Sequence, residues 1–286
     1  MNLNFWLIQA FNGVSYGALL FLVGSGLSLI FGVMRIVNLA HGSYFLLGGY
    51  VALTVIWTTG SWVLAIPVAA LAIGLVGLAM ERIFLRPLGF DPLRQVLLTV
   101  GFAFLFQQAA LDIWSGNNFD INPPPVLSQS VAIGGLYLPL YRVFMIATAL
   151  FIGIALWLAM EKTRLGAAVR ATVDDAQMAR GIGIDTSRIS MLIFSLGAFL
   201  AALGGVIGGA FLGVYPGLDF ESLPLAFAVV IIGGMGSLGG AAVGALLVGL
   251  ADNFGKALFP EVSYFTLYAP MALILAIKPT GLFGRE

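Results

Sequence analysis

Read as apolar and polar positions, the chain is a succession of long apolar runs broken at short polar joints. Its first charge is Arg35, and no Asp, Glu, Lys or Arg occurs between Arg35 and Glu81, between Arg188 and Asp219, or between Glu221 and Asp252. A helical crossing of a bilayer takes about 20 mostly apolar residues, so each gap has room for at least one. The pattern predicts helices at Phe5–Val33, Gly42–Trp57, Trp62–Leu85, Val96–Trp114, Tyr141–Met160, Ile189–Val214, Leu223–Met235, Gly239–Asn253 and Tyr264–Ile277. The expected fold is all-α, a polytopic integral membrane protein of about 8–9 transmembrane helices, organised as a single domain over residues 1–286. The stretch "IIGGMGSLGG", Ile231 to Gly240, has short apolar flanks and reads either as two tilted spans or as two half-helices meeting inside the protein.

Composition agrees with this pattern: 60% of residues are hydrophobic, 9% are charged, and mean hydropathy is +1.04, far from soluble domains. The first apolar run has no basic residues before it and is followed by many others, which argues against a cleaved signal peptide. Ten of the thirteen Lys and Arg residues fall in three short regions: Arg82, Arg86 and Arg94; Lys162, Arg164, Arg170, Arg180 and Arg188; and Lys278 with Arg285. By the positive-inside rule these regions are cytoplasmic. A loop of about residues 115–140, with Asn117, Asn118 and three consecutive prolines, then lies outside, as does the amino terminus.

The residue supply excludes several chemistries. With no cysteine and only one histidine, neither thiol catalysis nor a zinc site of ordinary ligand type is expected. No G-x-x-x-x-G-K-[ST] run is present to cradle a nucleotide phosphate. No catalytic, cofactor-binding or metal-binding residue is therefore assigned. Transport or structural roles remain, transport being either driven by partner proteins or that of an ion-coupled secondary carrier or channel. Few ionisable groups are predicted at mid-depth, which favours the first.

The longest basic loop, Glu161 to Arg188, is built like a folded unit. Leu165, Val169, Val173, Ala176 and Ala179 recur at three and four, giving a short amphipathic stripe. Thr172 followed by Asp175 has capping-box spacing and predicts a second short helix starting there. Gly181 and Gly183 would end it, and Asp185 or Thr186 would cap the next membrane helix. Arg170 and Arg180 are left to meet acceptors on a partner.

Five segments together carry a family resemblance: "NLAHGSYFLLGGYVA", "LRPLGFDPLRQVLLTVGFAFLFQQ", "TRLGAAVRATVDDAQMARGIGI", "AFAVVIIGGMGSLGGAAVGALLVGL" and the closing "GLFGR". In this order, over nearly the whole chain, they resemble the permease subunits of ABC importers of the branched-chain amino acid family, the shorter of the two membrane subunits. The resemblance implies a helical core related to the vitamin B12 type ABC importer permeases, in a bacterial or archaeal inner membrane. It also implies a second permease subunit, two cytoplasmic ATPases and a periplasmic or lipid-anchored binding protein, with no resident cofactor. Residues 161–188 match the coupling loop that fits an ATPase cleft, with Arg164, Gly166, Arg170, Asp174, Ala179, Arg180 and Gly181 as its contact residues. Where many relatives have a basic residue after the loop glycine, this chain has Ala167. Leucine, isoleucine and valine fit the family, as do urea and short amides.

Polar and glycine positions inside the spans are the candidates for a pathway. Asn38 and His41 stand where the second apolar segment begins, and read either as gate residues or as groups that cap the helix start. Gly233, Gly234, Gly236 and Ser237 read either as close helix packing or as a broken helix lending carbonyls to a solute. Gln107 and Gln108 lie inside the fourth span, where at least one must face protein or water. Asp112 and Asp252 are expected at the outer interface.

Overall fold

The structure, a computed structural model, describes residues 3–89, 91–133 and 135–284; Arg285 lies outside them. The nine predicted spans are all helical. They are α1 (Leu3–Met34), α2 (His41–Thr59), α3 (Trp62–Met80), α4 (Pro92–Trp114), α5 (Leu140–Lys162), α8 (Thr186–Leu212), α9 (Leu218–Gly233), α10 (Leu238–Leu258) and α11 (Ser263–Ile277). Two short helices, α6 (Arg164–Asp174) and α7 (Ala176–Gly181), fill the basic loop. Six helices (α1, α3 with its continuation to Leu88, α4, α5, α8 and α10) are long and apolar enough to cross a membrane.

Local chemistry sets several boundaries. Ser61 accepts a bond from the Leu64 amide at 3.3 Å and so caps α3, while Gly60, with φ +69°, ends α2. Asp91 does the same for α4 through the Arg94 amide at 3.2 Å, followed by Pro92 in the first turn. Beyond Met80 the helix widens into a π-helical turn over Glu81–Leu85 that turns Glu81 into the interior, 2% exposed. The sequence placed the start of α9 at Leu223. It begins earlier, at Leu218, with Asp219 and Glu221 in its first turn where the helix dipole favours carboxylates.

Helix α1 is the axis of the molecule and packs against α10, α8, α5 and α9, while α2 lies between α8, α3 and α9. Contacts are close because glycines meet backbone. A Cβ at Gly26 would stand 2.6 Å from the Gly197 carbonyl oxygen on α8, and one at Gly48 would collide with the backbone of Ala202. With lipid on the outside there is little hydrophobic drive between helices, so such contacts supply the packing that holds them.

One element departs from the all-α expectation. Strands β1 (Ser130–Ile133) and β2 (Leu136–Pro139) form an antiparallel hairpin in the loop before α5, in register Ser130 to Pro139 and Ile133 to Leu136. The same loop is pinned earlier in its course, where Phe119 and Val214 exchange backbone hydrogen bonds at 2.9 and 2.8 Å.

Candidate functional site

The basic loop is a braced elbow. Thr163 joins α5 to α6: its hydroxyl donates to the Ala159 carbonyl at 2.5 Å and accepts from the Gly166 amide at 3.0 Å. Gly166 has to be glycine, because a Cβ there would run into the carbonyls of Ala159 and Met160. The Arg170 guanidinium donates to the Met160 carbonyl at the end of α5 and lies 3.8 Å from Glu161, a cation placed where a helix C-terminus favours one. Val169 is buried in a cluster with Leu29, Leu156, Ile189, Ile193 and Leu200, which fixes α6 to α1, α5 and α8. Asp175 caps α7, accepting from the amides of Gln177 and Met178 at 2.8 and 2.9 Å. Asp185 caps α8 through the Arg188 amide at 3.0 Å.

Several sequence readings of this loop need correction. Thr172 is not a cap; it sits inside α6 with its hydroxyl on the Ala168 carbonyl at 2.8 Å, because the stronger acceptor Asp175 takes the helix start. Leu165 is exposed, and the buried face of α6 is instead Gly166, Val169 and Thr172. The left-handed residue is Gly183, with φ +90°; Gly181 is the last residue of α7 and has open space where a side chain would go. Neither Arg170 nor Arg180 is free: Arg180 donates through Nε to the Thr186 hydroxyl at 2.6 Å. Ala179 is buried, while Arg164, Asp174 and Gly181 are exposed. The outward tip carries two apolar side chains that the sequence reading passed over, Met178 at 65% exposure and Ile182 at 70%.

At the start of α2 the polar groups are fully enclosed. Asn38 accepts the Ala40 amide through Oδ1 at 3.1 Å, and His41 places Nε2 2.9 Å from the Val23 carbonyl of α1. Ser43 donates to Asp219 of α9 at 3.3 Å, and the Leu39 amide donates to Thr99 of α4 at 3.2 Å. Asn38, His41, Ser43, Thr99 and Asp219 are all buried, and Asn38 Nδ2, His41 Nδ1 and Asp219 Oδ1 have no protein partner. The chain around the start of α2 thus ties this helix to α1, α4 and α9 through polar contacts, with three hydrogen-bonding atoms unspent in an interior where each is costly.

The break between α9 and α10 spans Gly234 to Ser237. Ser237 caps α10 through the Gly240 amide at 3.0 Å, and Gly234 and Gly236 adopt φ of +103° and +80°. Gly233 packs directly on Gly240 and Gly236 on Gly32 of α1. The carbonyls of Ile232 and Gly233 accept from the amides of Leu282 and Phe283, each at 2.9 Å. Two of the carbonyls that a broken helix could offer a solute are therefore occupied by the segment after α11.

The model of the family described as branched-chain amino acid transport system / permease component matches residues 9–275. The chain belongs to this family. Among its relatives are the high-affinity branched-chain amino acid transport system permease proteins LivH of Salmonella typhimurium, 31% identical over 98% of this chain and 96% of the relative, and BraD of Pseudomonas aeruginosa, 29% identical over the same shares. The autoinducer 2 import system permease LsrC of Escherichia coli is 30% identical over 64% of this chain and 53% of its own length. No solved structure matches the chain.

In this permease the remaining polar candidates separate. Gln107 is half-buried, whereas Gln108 is exposed and donates to Asp112 at 2.9 Å. Asp252 is not at an open interface; it is 8% exposed and paired with Lys256 at 2.8 Å. Among the described residues no three His, Cys, Asp or Glu side chains gather as a metal site. The sequence reading also passed over Arg142 in the first turn of α5, which donates to Asn12 of α1 at 2.5 Å and lies 5.0 Å from the centre of the Phe211 ring of α8. The signal was a lone basic residue between Arg94 and Lys162, at the end of a span opposite to the basic loops.

Proposed function

We propose that the chain is the membrane subunit of an ABC importer and forms the translocation route for branched-chain amino acids or similar small polar solutes. The observation that carries this reading is the family match over residues 9–275 together with a rigid elbow that offers an apolar tip, Met178 and Ile182, to a partner. In this reading the elbow docks on a cytoplasmic ATPase, with Arg164, Gly166, Arg170, Asp174, Ala179, Arg180 and Gly181 forming or shaping the contact. Arg170 and Arg180 act by bracing the elbow, since their guanidinium groups are bonded within the chain. A second permease, a second ATPase and an external binding protein complete the assembly. The subunit itself catalyses no reaction.

The bundle then has about 8–9 spans in the manner of the vitamin B12 type importers, drawn from the six long helices and the shorter α2, α9 and α11. The amino terminus and the hairpin lie outside, and the elbow and carboxy terminus lie in the cytoplasm, in a bacterial or archaeal inner membrane. Asn38, His41 and Gln107 are the favoured polar groups along the route. Gly233, Gly234, Gly236 and Ser237 act through packing.

Reconstitution tests this. In proteoliposomes the lone chain should neither hydrolyse ATP nor accumulate leucine, and adding the ATPases, second permease and binding protein should give ATP-driven uptake. Accumulation by the lone chain under a proton or sodium gradient would overturn the reading in favour of a secondary carrier, with the buried Glu81 and Asp219 as its ionisable groups.

A further inference from the structure

Arg142 is a cation without a counter-charge. Among the described residues no carboxylate lies within ion-pair distance of it. Its one hydrogen bond, through Nη1, goes to the neutral Asn12 amide oxygen. A guanidinium has five N–H donors in a rigid fork, so most of its capacity is unspent. The Phe211 ring on one side and Asn12 on the other hold the group in place, which lowers the entropy cost of using it.

Arg142 lines a cleft of about 440 Å³, largely open to the outside, between the loop before β1, the start of α5 and the end of α8. That volume is in the range of small-molecule sites. Leu127, Ala210 and Phe211 give it an apolar wall, and Ser128 and Gln129 add oxygen acceptors. The wall is stiff: the Leu127 and Ser128 amides both donate to the Pro124 carbonyl, and the Tyr141 hydroxyl is anchored on the Ile207 carbonyl at 2.5 Å. Pro139, which precedes α5, provides no side-chain cap; the Leu140 amide donates to the Gln129 carbonyl at 2.9 Å, and the amides that follow it add to the positive character around Arg142.

We propose that this cavity is an entry subsite for a small solute bearing a carboxylate, which Arg142 binds, while the solute's apolar part lies against Leu127, Ala210 and Phe211. This rests on the importer reading and deepens it: the guanidinium makes the carboxylate, more than the side chain, the group that is recognised. An amino acid fits all three surfaces, with Ser128 and Gln129 facing its ammonium group. A solute whose carboxylate is converted to an amide loses the charge-assisted pair.

The test needs no transport. The chain has no cysteine, so Ser128→Cys gives a single reactive thiol at the cavity rim. The variant is purified with the subunits it retains, placed in nanodiscs, and its rate of maleimide labelling is measured. Millimolar leucine should slow labelling several-fold relative to the unliganded rate of the same variant, leucinamide should not, and adding Arg142→Gln should bring that ratio back to one. Asn12→Leu, which breaks the internal tie and leaves the cavity intact, should retain protection. Equal protection by leucinamide, protection that survives in Arg142→Gln, or no protection at all would overturn the subsite. So would labelling that responds to exchanging zwitterionic for anionic lipid and not to leucine, which makes the guanidinium a headgroup site. Uptake measured in parallel keeps the readings apart: uptake without protection sinks the subsite alone, and protection without ATP-driven uptake sinks the importer reading alone.

Discussion

The Leu282 amide donates to the Ile232 carbonyl at 2.9 Å, and with the neighbouring Phe283 to Gly233 bond it clips the segment after α11 onto the end of α9. The clip satisfies carbonyls that a helix end would otherwise leave open in a low-dielectric interior. Gly281, with φ +80°, lets the segment pass beside Gly234, and a Cβ there would stand 2.5 Å from the Ile231 carbonyl oxygen. Gly281→Val should therefore cost about 2–4 kcal/mol from backbone strain and lost hydrogen bonds. A drop in thermal unfolding temperature in detergent, with α10 gaining protease sensitivity near Ser237, is the expected result.

Two glycines of the elbow should behave oppositely. Gly183→Val forces a β-branched residue into the left-handed region, at about 1–3 kcal/mol, and should loosen the elbow. Gly181→Val meets no neighbour within 4 Å and should leave stability within about 0.5 kcal/mol of the parent. Thermal melts distinguish them. If Gly181→Val nonetheless abolishes co-purification with the ATPases, Gly181 lies at the contact itself.

Arg170→Glu should act through the elbow rather than by direct repulsion of a partner. It removes the bond to the Met160 carbonyl and sets a carboxylate beside Glu161. Hydrogen bonds to charged groups contribute about 1.5–3 kcal/mol, and the exposed ion pair under about 1 kcal/mol. The expected outcome is normal insertion and expression with reduced ATPase co-purification. Arg170→Gln, which can still donate to the carbonyl, should recover much of it.

Orientation can be read with single cysteines. Asn118→Cys should react with an impermeant maleimide from outside intact cells, and Gln177→Cys, on the exposed face of α7, only after the cytoplasmic side is opened. The reverse pattern would invert the whole assignment of sides.

Most of the bundle was legible because lipid leaves a helix few alternatives: charge-free runs such as Trp62 onward can satisfy their backbone in no other way. Of the two caps the sequence offered for α8, Asp185 and Thr186, the carboxylate, the stronger acceptor, takes the position. Where Thr172 and Asp175 competed, spacing chose the weaker acceptor. The hairpin was visible in principle, since short runs with Val131, Ile133 and Tyr137 flank the Gly134-Gly135 pair, but a short strand pair is a faint signal beside long helices. The clip by Leu282, the bond from His41 to Val23 and the cavity at Arg142 join residues distant in sequence, and no local periodicity encodes such meetings.

The enclosure of α2 bears on the order of synthesis. His41, Ser43 and the glycines keep this 19-residue helix short of the hydropathy that the six long spans reach, and much of the surface it needs belongs to α8 and α9. Those helices emerge roughly 130 residues later, about 10 s at translation rates of about 5–20 residues per second. For that interval nascent α2 has α3, then α4, and the insertion machinery to shield its polar side. Defects on the α8 face, such as a bulkier residue at Ala202, should therefore register first as a nascent chain degraded before completion, and only in the survivors as a fault of the finished bundle.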